Sequence, residues 1–244
     1  MRTRKLLSHE TLTTVFEFAY VVLATNLLLA VASLPLLVLL VTTDPTTSWP
    51  ALALALPFAF PGVAAAMTVF REFSAHGRIA VVATFLRGLR AAGVRAGLVG
   101  AVVSAVGVVV VVDAVGLWGE PLGAVVLPVL AMLVVVTLVG APVALVLVTD
   151  RSELRLAAVL RAAFYLAVRR WYLSVLSAAS LATLAGAFAL RPALAVGVLA
   201  APLLYVAWAN SRYLVRSAWP VDEGETPGAR RAGPGVASHG QLAR

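Results

Sequence analysis

Long apolar stretches separated by short polar segments recur along most of the chain. Six of them are long enough to cross the roughly 30 Å hydrocarbon layer of a bilayer as α-helices, which rise about 1.5 Å per residue. The pattern therefore predicts an all-α fold, a polytopic transmembrane helical bundle of about six spans. The predicted spans are residues 16–41, 50–70, 96–118, 121–148, 172–190 and 192–214.

Two polar segments between these spans have the periodicity of amphipathic helices. Before residue 96, Phe85 and Leu89 share one helix face, whereas Arg87 and Arg90 share the other. The segment before residue 172 has a similar pattern. We predict two amphipathic cytoplasmic helices at the membrane surface, where arginines contact anionic lipid headgroups or a partner protein such as a transporter subunit. The candidate contact residues are Arg87, Arg90, Arg95, Arg161, Arg169 and Arg170.

The distribution of basic residues predicts the orientation of the bundle. With six spans, 18 of the 19 Lys and Arg residues fall on one side, and Arg191 is the exception. Cytoplasmic loops carry an excess of Lys and Arg, so both termini of this multi-pass protein of the cell membrane are predicted to be cytoplasmic. The bundle is predicted for residues 1–219. Residues 220–244, rich in Gly, Pro and charge, are predicted to be a disordered cytoplasmic tail.

The amino-acid composition limits the ligands and reactions that are possible for this chain. Hydrophobic residues make up 61% of the chain and charged residues 12%, against about 25% charged in soluble domains. The absence of cysteine excludes disulfides, cysteine-ligated metals and thiol catalysis. The three histidines lie too far apart in sequence for an H-E-x-x-H zinc site. We expect no metal, no cofactor and no catalytic residues, and the net charge of +8 is explained by membrane orientation rather than by nucleic-acid binding.

Two polar residues inside the predicted spans are candidate functional residues, because ionisable and amide groups are costly in hydrocarbon. Asn26 lies deep in the first span, where its amide can bond another helix or a ligand. Asp113 lies near the outer end of the third span. For neither residue does the sequence position alone show whether it belongs to a ligand site or makes a packing contact.

Small residues and prolines mark further features of the spans. A stripe at four-residue spacing on the predicted helix 172–190 permits close approach of another helix, either within the chain or in a homo-oligomer. The stripe comprises Ser174, Ala178, Ala182 and Gly186. Prolines in the spans produce either simple kinks or unwound segments that line a cavity. They are Pro35, Pro57, Pro61, Pro128, Pro142 and Pro202.

Four short motifs in the first hundred residues resemble a known family. They are Asn26-Leu-Leu, Ser33-Leu-Pro35, Pro61-Gly-Val-Ala-Ala-Ala66 leading to Phe70-Arg71, and Phe85-Leu-Arg87-Gly-Leu-Arg90. Over residues 16–95 the chain is similar to the YesL-like family of bacterial membrane proteins of unknown function. The resemblance implies about six helices, no known catalysis and an association with carbohydrate uptake. It carries over no functional residues, because none are established for the family.

Three functions remain open from the sequence. The first is a non-enzymatic integral membrane protein that is an accessory to a carbohydrate transport system, with its arginine-rich helices contacting a partner. The second is a small permease in its own right, with Asn26 facing the transported substrate. The third, a membrane enzyme acting on lipid or glycan, lacks any clustered triad or metal-ligand spacing.

Overall fold

The computed structural model describes residues 3–169 and 171–218, with the side chains of residues 16–169 and 175–218. Within this part of the chain, all regular secondary structure is helical. The helices are α1 (Thr3–Ala32), α2 (Leu34–Thr42), α3 (Trp49–His76), α4 (Val81–Gly116), α5 (Gly123–Asp150), α6 (Leu156–Arg169), α7 (Trp171–Leu190), α8 (Pro192–Leu194) and α9 (Ala200–Ala218), and a π-helical turn, Ala195–Leu199, joins α8 to α9. The predicted tail, 220–244, lies outside the described residues.

The bundle is that of a multi-pass membrane protein. In the described part of the chain, four helical units are long and apolar enough to cross a bilayer, namely α3, α4, α5 and the unit Pro192–Ala218. The α1–α2 pair provides a fifth span if it crosses as one unit. The apolar part of α7 with described side chains, Val175–Leu190, is shorter than a full span. The helical bundle is therefore confirmed, and four to five spans are found by length and composition among the described residues.

The first predicted span is not one straight helix. Residues Phe16–Ala32 and Leu34–Thr42 are bent by 76° relative to each other around Ser33. Pro35 follows the bend. Because it has no N–H and its ring crowds the carbonyl of the residue four positions earlier, it favours an interruption of the helix there. The predicted span over residues 16–41 is thus interrupted near Pro35, one of the positions where the sequence predicts a kink or an unwound segment.

The first predicted amphipathic helix is not a separate element either. Its residues form the first turns of α4, a continuous helix of 36 residues. At about 1.5 Å per residue, this helix is roughly 54 Å long, well beyond the roughly 30 Å that a bilayer requires. It stays unbroken because it contains no proline and its face at Phe85, Ala92 and Ala96 is buried. The second amphipathic helix, α6, is a separate element as predicted.

Helices α3 and α4 form a closely packed antiparallel hairpin. A Cβ added at Gly88 would lie 2.8 Å from the Cβ of Thr68, and one added at Gly100 would lie 2.7 Å from Cγ of Phe60. These glycines let the two backbones approach closely. Gly77, with φ of 73°, ends α3 and begins the short connection. Although Pro57 and Pro61 lie inside α3, the helix continues through both of them.

The two ends of the bundle differ in packing. At the end that we call the basic end, Arg71 contacts Asp150 and Arg78 contacts Glu17, so α3, α5 and α1 meet there. The most deeply buried apolar side chains lie near these residues, including Met67, Phe85 and Leu147. At the other end, several valines of α4 and α5 are more than half exposed. Apolar patches of this extent are typical of a surface in contact with lipid.

Candidate functional site

Asn26 joins α1 to the break in the last span. Its side chain is buried, its Nδ2 donates a hydrogen bond to the carbonyl oxygen of Gly197 at 2.9 Å, and its Oδ1 accepts one from the backbone N–H of Ala201 at 2.6 Å. In an unbroken α-helix, that N–H would donate directly to that carbonyl, because the two are four residues apart. The amide of Asn26 thus bridges the two backbone groups whose helix hydrogen bond is absent, and it satisfies both of them.

The break has a local cause. Pro202 has no N–H to donate to the carbonyl of Val198, and its ring crowds that carbonyl. The preceding residues form a π-helical turn, in which the N–H of Ala200 donates to the carbonyl of Ala195. Single π-helical turns occur frequently at functional sites. The sequence identified Asn26 and Pro202 separately, and in the structure Asn26 bonds to the backbone of Ala201, the residue before Pro202.

An apolar cavity of about 800 Å³ lies beside Asn26. It is bounded by the α1–α2 bend, by α7 and by the segment from α8 to α9. This volume is within the range of about 300 to 1,000 Å³ that is typical of small-molecule sites. Its wall includes Leu36, Leu40, Leu138, Leu184, Phe188 and Val196.

The wall of the cavity limits what can bind there. It contains no charged side chain, and its polar side chains are Asn26 and Ser33. A sugar placed there would lose the hydrogen bonds of most of its hydroxyls, at a cost of about 1 to 3 kcal/mol for each one left unpaired. The cavity is chemically suited to an apolar group, such as an acyl chain.

Asp113, the second candidate inside the spans, lies away from this cavity. It is half-buried in α4, three residues before the helix ends at Gly116, and is not part of the cavity wall. The structure therefore does not bring Asn26 and Asp113 together into one site.

The candidate arginines fall into two groups. Arg95 is used internally: its Nη1 donates to the carbonyl of Ser152 at 2.7 Å and its Nη2 to that of Leu154, which fixes the α5–α6 loop against α4. In contrast, Arg87, Arg90 and Arg161 are exposed. They make no ion pair or hydrogen bond within the described residues, so their charge is available to a headgroup or a partner.

Helix α6 presents a similar surface. Val159, Ala163 and Leu166 are buried on one face, whereas Phe164 and Tyr165 are more than half exposed on the other. The guanidinium of Arg169 lies 5.9 Å from the centroid of the Tyr165 ring. Exposed aromatic and arginine side chains on one helix suit the interface between membrane and water. Arg170 lies outside the described residues.

The stripe of small residues on α7 does not pack within the chain at its far end. Ala182 and Gly186 are exposed, and a Cβ added at Gly186 would meet nothing within 4 Å. The expectation of packing inside the chain is wrong for these two residues. Helix α7 packs instead through Ser177, which accepts a hydrogen bond from Asn210 of α9 at 2.7 Å. The side chain of Ser174 lies outside the described residues.

A charged cluster at the basic end was missed by sequence reasoning. Arg71 of α3 donates to Asp150 of α5 and to the carbonyl of Thr149, both at 3.1 Å. Arg212 of α9 lies near this pair, with its guanidinium 5.1 Å from the Trp208 ring. These residues come from three helices that are distant in sequence, so no local motif indicates the cluster.

The loop between α2 and α3 is stabilised by Asp44. Oδ1 of Asp44 accepts hydrogen bonds from the hydroxyl of Thr46 at 2.7 Å and from its backbone N–H at 2.8 Å. Both bonds favour the ionised carboxylate, so they lower the pKa of Asp44 below its usual value.

Comparison of the chain with protein-family models, with curated proteins and with solved structures gives no match. Within the described residues, no group of three or more His, Asp or Glu side chains is arranged to hold a metal ion.

Proposed function

We propose that this multi-pass membrane protein is a non-enzymatic accessory to a transport system, with both termini and the basic end in the cytoplasm of a cell whose plasma membrane it spans. The observation that supports this proposal is the division of the arginines. Arg71, Arg78 and Arg95 are bonded within the chain, whereas Arg87, Arg90 and Arg161 are exposed and unpaired within the described residues. Exposed arginines on rigid helices suit a docking surface for an acidic partner.

The surface near Arg87 and Arg90 is favourable for such a partner. The two arginines lie about one turn apart on α4, and Leu86 and Ala83 beside them are also exposed. Arginine is one of the residue types enriched among those that contribute most to binding at protein interfaces. The carbohydrate part of the proposal is drawn from the resemblance to the YesL-like family.

The test is purification of the full chain in mild detergent, with an affinity tag on its C-terminal tail. We expect a subunit of a carbohydrate transporter to copurify, and the variant Arg87→Gln/Arg90→Gln to lose it while keeping its melting temperature. The matched control is Arg95→Gln, which removes an internally bonded arginine and should lower the melting temperature while retaining the partner. Copurification of no transport component with the unaltered protein would refute the proposal.

A small permease is the second candidate, and the cavity beside Asn26 favours it. Cavities lined by interrupted helices are typical of transporter sites, and this one is bounded by the α1–α2 bend and the π-helical turn. Because the cavity wall is apolar, we expect the transported substrate to be hydrophobic. Uptake into proteoliposomes should fall in Ala185→Leu, which fills the cavity, but not in Ala182→Leu on the exposed face of α7. Full uptake by Asn26→Ala would count against this candidate.

A further inference from the structure

At the basic end, basic groups outnumber the carboxylates that could neutralise them. Arg71, Arg216 and Asp150 are all close enough to Arg212 to act on its charge. Asp150 is already bonded to Arg71, and Glu72, the next carboxylate, lies 3.6 Å from Arg71 as well. Arg212 and Arg216, one helical turn apart on α9, are therefore left without a carboxylate of their own among the described residues.

Arg212 is held in place although no carboxylate among the described residues forms an ion pair with it. Its guanidinium lies over the Trp208 ring, and Trp208 is itself buried against Tyr205 and Phe70. Its Nε atom is buried and has no hydrogen-bond partner in the described part of the chain. Burying a charged donor without a partner is costly. The side chain as a whole is only partly buried, so the outer guanidinium donors can reach a ligand.

The chemistry of these groups selects the ligand. The guanidinium is a planar fork of donors that matches the oxygens of phosphate. The aromatic side chains beneath Arg212 are of the kind found at headgroup depth in a membrane. Because Trp208 already holds the side chain of Arg212 in place, we expect Arg212 to lose little conformational freedom when a ligand binds.

We infer that Arg71, Arg212 and Arg216 form a binding site for a phosphate group. The phosphate is that of an anionic phospholipid headgroup or a free phosphate in the adjacent water, and the two sources share the same recognition chemistry. Arg212 supplies the central fork, Arg216 adds charge from the next turn, and Arg71 joins the site while it remains bonded to Asp150. The site is independent of the transport role proposed above, because it requires neither a partner protein nor a transported substrate.

The test uses the full chain, delipidated in a non-ionic detergent, with the melting temperature as readout. Three ligands are added separately: phosphatidylglycerol, phosphatidylcholine and inorganic phosphate. A ligand that binds the folded state raises the melting temperature in proportion to its affinity and concentration. We expect phosphatidylglycerol to raise it more than phosphatidylcholine. A rise with inorganic phosphate identifies free phosphate as a source, and no rise with it identifies the lipid headgroup.

Arg212→Gln should weaken binding about tenfold or more, since it removes at least one charge-assisted hydrogen bond. Arg155→Gln is the matched control, because it removes one exposed arginine directly before α6, outside the site. Asp150→Asn acts in the opposite direction: removing the competing carboxylate should strengthen binding by about twofold or more. This second variant keeps the test decisive if Arg212→Gln fails to fold.

Two results would overturn the inference. One is the same affinity in the unaltered protein and in Arg212→Gln, or an equal loss in Arg212→Gln and Arg155→Gln, since general charge attraction then accounts for binding. The other is weaker binding by Asp150→Asn than by the unaltered protein.

Discussion

Prolines have different effects in the α3–α4 hairpin and in the helices around the cavity. Helix α3 contains Pro57 and Pro61 and remains continuous, whereas the chain bends by 76° before Pro35 and forms a π-helical turn before Pro202. The hairpin is packed so closely that two glycines are needed for contact. The interrupted helices border an apolar cavity of about 800 Å³.

The difference teaches that a proline does not by itself decide where a membrane helix breaks. In α3, close packing against α4 on one side over most of its length stabilises a continuous helix despite two missing N–H groups. Near Pro202, a side-chain amide is available to satisfy the freed backbone groups, and the helix is interrupted.

The hairpin should be most sensitive at Gly100. In Gly100→Val, the added Cβ would lie 2.7 Å from Cγ of Phe60 and 2.9 Å from Cα of Pro57. Overpacking of this kind costs about 1 to 3 kcal/mol, so we expect a clear fall in the melting temperature. The control is Gly107→Val on the same helix, where an added Cβ meets nothing within 4 Å. Equal melting temperatures for the two variants would refute close packing at Gly100.

The break beside the cavity should depend on Asn26. Asn26→Ala leaves the carbonyl of Gly197 and the N–H of Ala201 without the amide, at a cost of about 1 to 3 kcal/mol. In the background of Pro202→Ala, these two groups can bond to each other, so the same substitution should cost less. A double-mutant cycle by thermal unfolding measures this coupling. If the two substitutions change the free energy of unfolding by strictly additive amounts, the amide does not replace the helix hydrogen bond.

Arg71 should contribute a smaller amount by linking the hairpin to α5. Arg71→Gln removes the ion pair with Asp150 and the bond to the carbonyl of Thr149, an expected loss of about 1 kcal/mol for a partly exposed pair. Arg161→Gln is a suitable control, because Arg161 is exposed and unpaired within the described residues. Denaturant unfolding of both variants distinguishes them, and equal stabilities would contradict the assignment of Arg71 as a link.

Asp44, in the loop that joins the two regions, should give the smallest effect. Its pKa is lowered in the folded state, so the stability that it contributes is present above its unfolded value and is lost as the pH falls through the lowered folded value. Asp44→Asn should therefore be slightly less stable than the unaltered protein at neutral pH, and the difference should disappear in acid. Thr46→Ala, which removes one of the two bonds, should reproduce part of the effect. A difference that persists unchanged into acid would contradict the assignment.

The apolar pattern was sufficient to predict an all-α membrane bundle and most helix positions, because each span satisfies its own backbone and its length is set by the bilayer. It was not sufficient to place the bend at Ser33, since Pro35 looks the same in sequence as Pro57, which leaves α3 unbroken. The separate helix expected near Arg87 proved to be part of α4 for a related reason, because its buried face is defined by contact with α3.

The candidate sites were predicted less completely. Asn26 was identified from its depth in a span, but its partners lie more than 170 residues away in sequence and depend on how α9 packs. The pairing of Arg71 with Asp150 and the position of Arg212 over Trp208 required three helices to meet. Side chains that act together across a bundle leave no spacing rule in a single sequence.

The uninterrupted course of α4 has a mechanical consequence. A helix of 36 residues without a joint behaves as a stiff rod, with one tip bearing Arg87 and Arg90 and the other near Asp113. A tilt imposed at the arginine-bearing tip would therefore move α3 as well, because the two helices are packed together from Gly88 to Gly100.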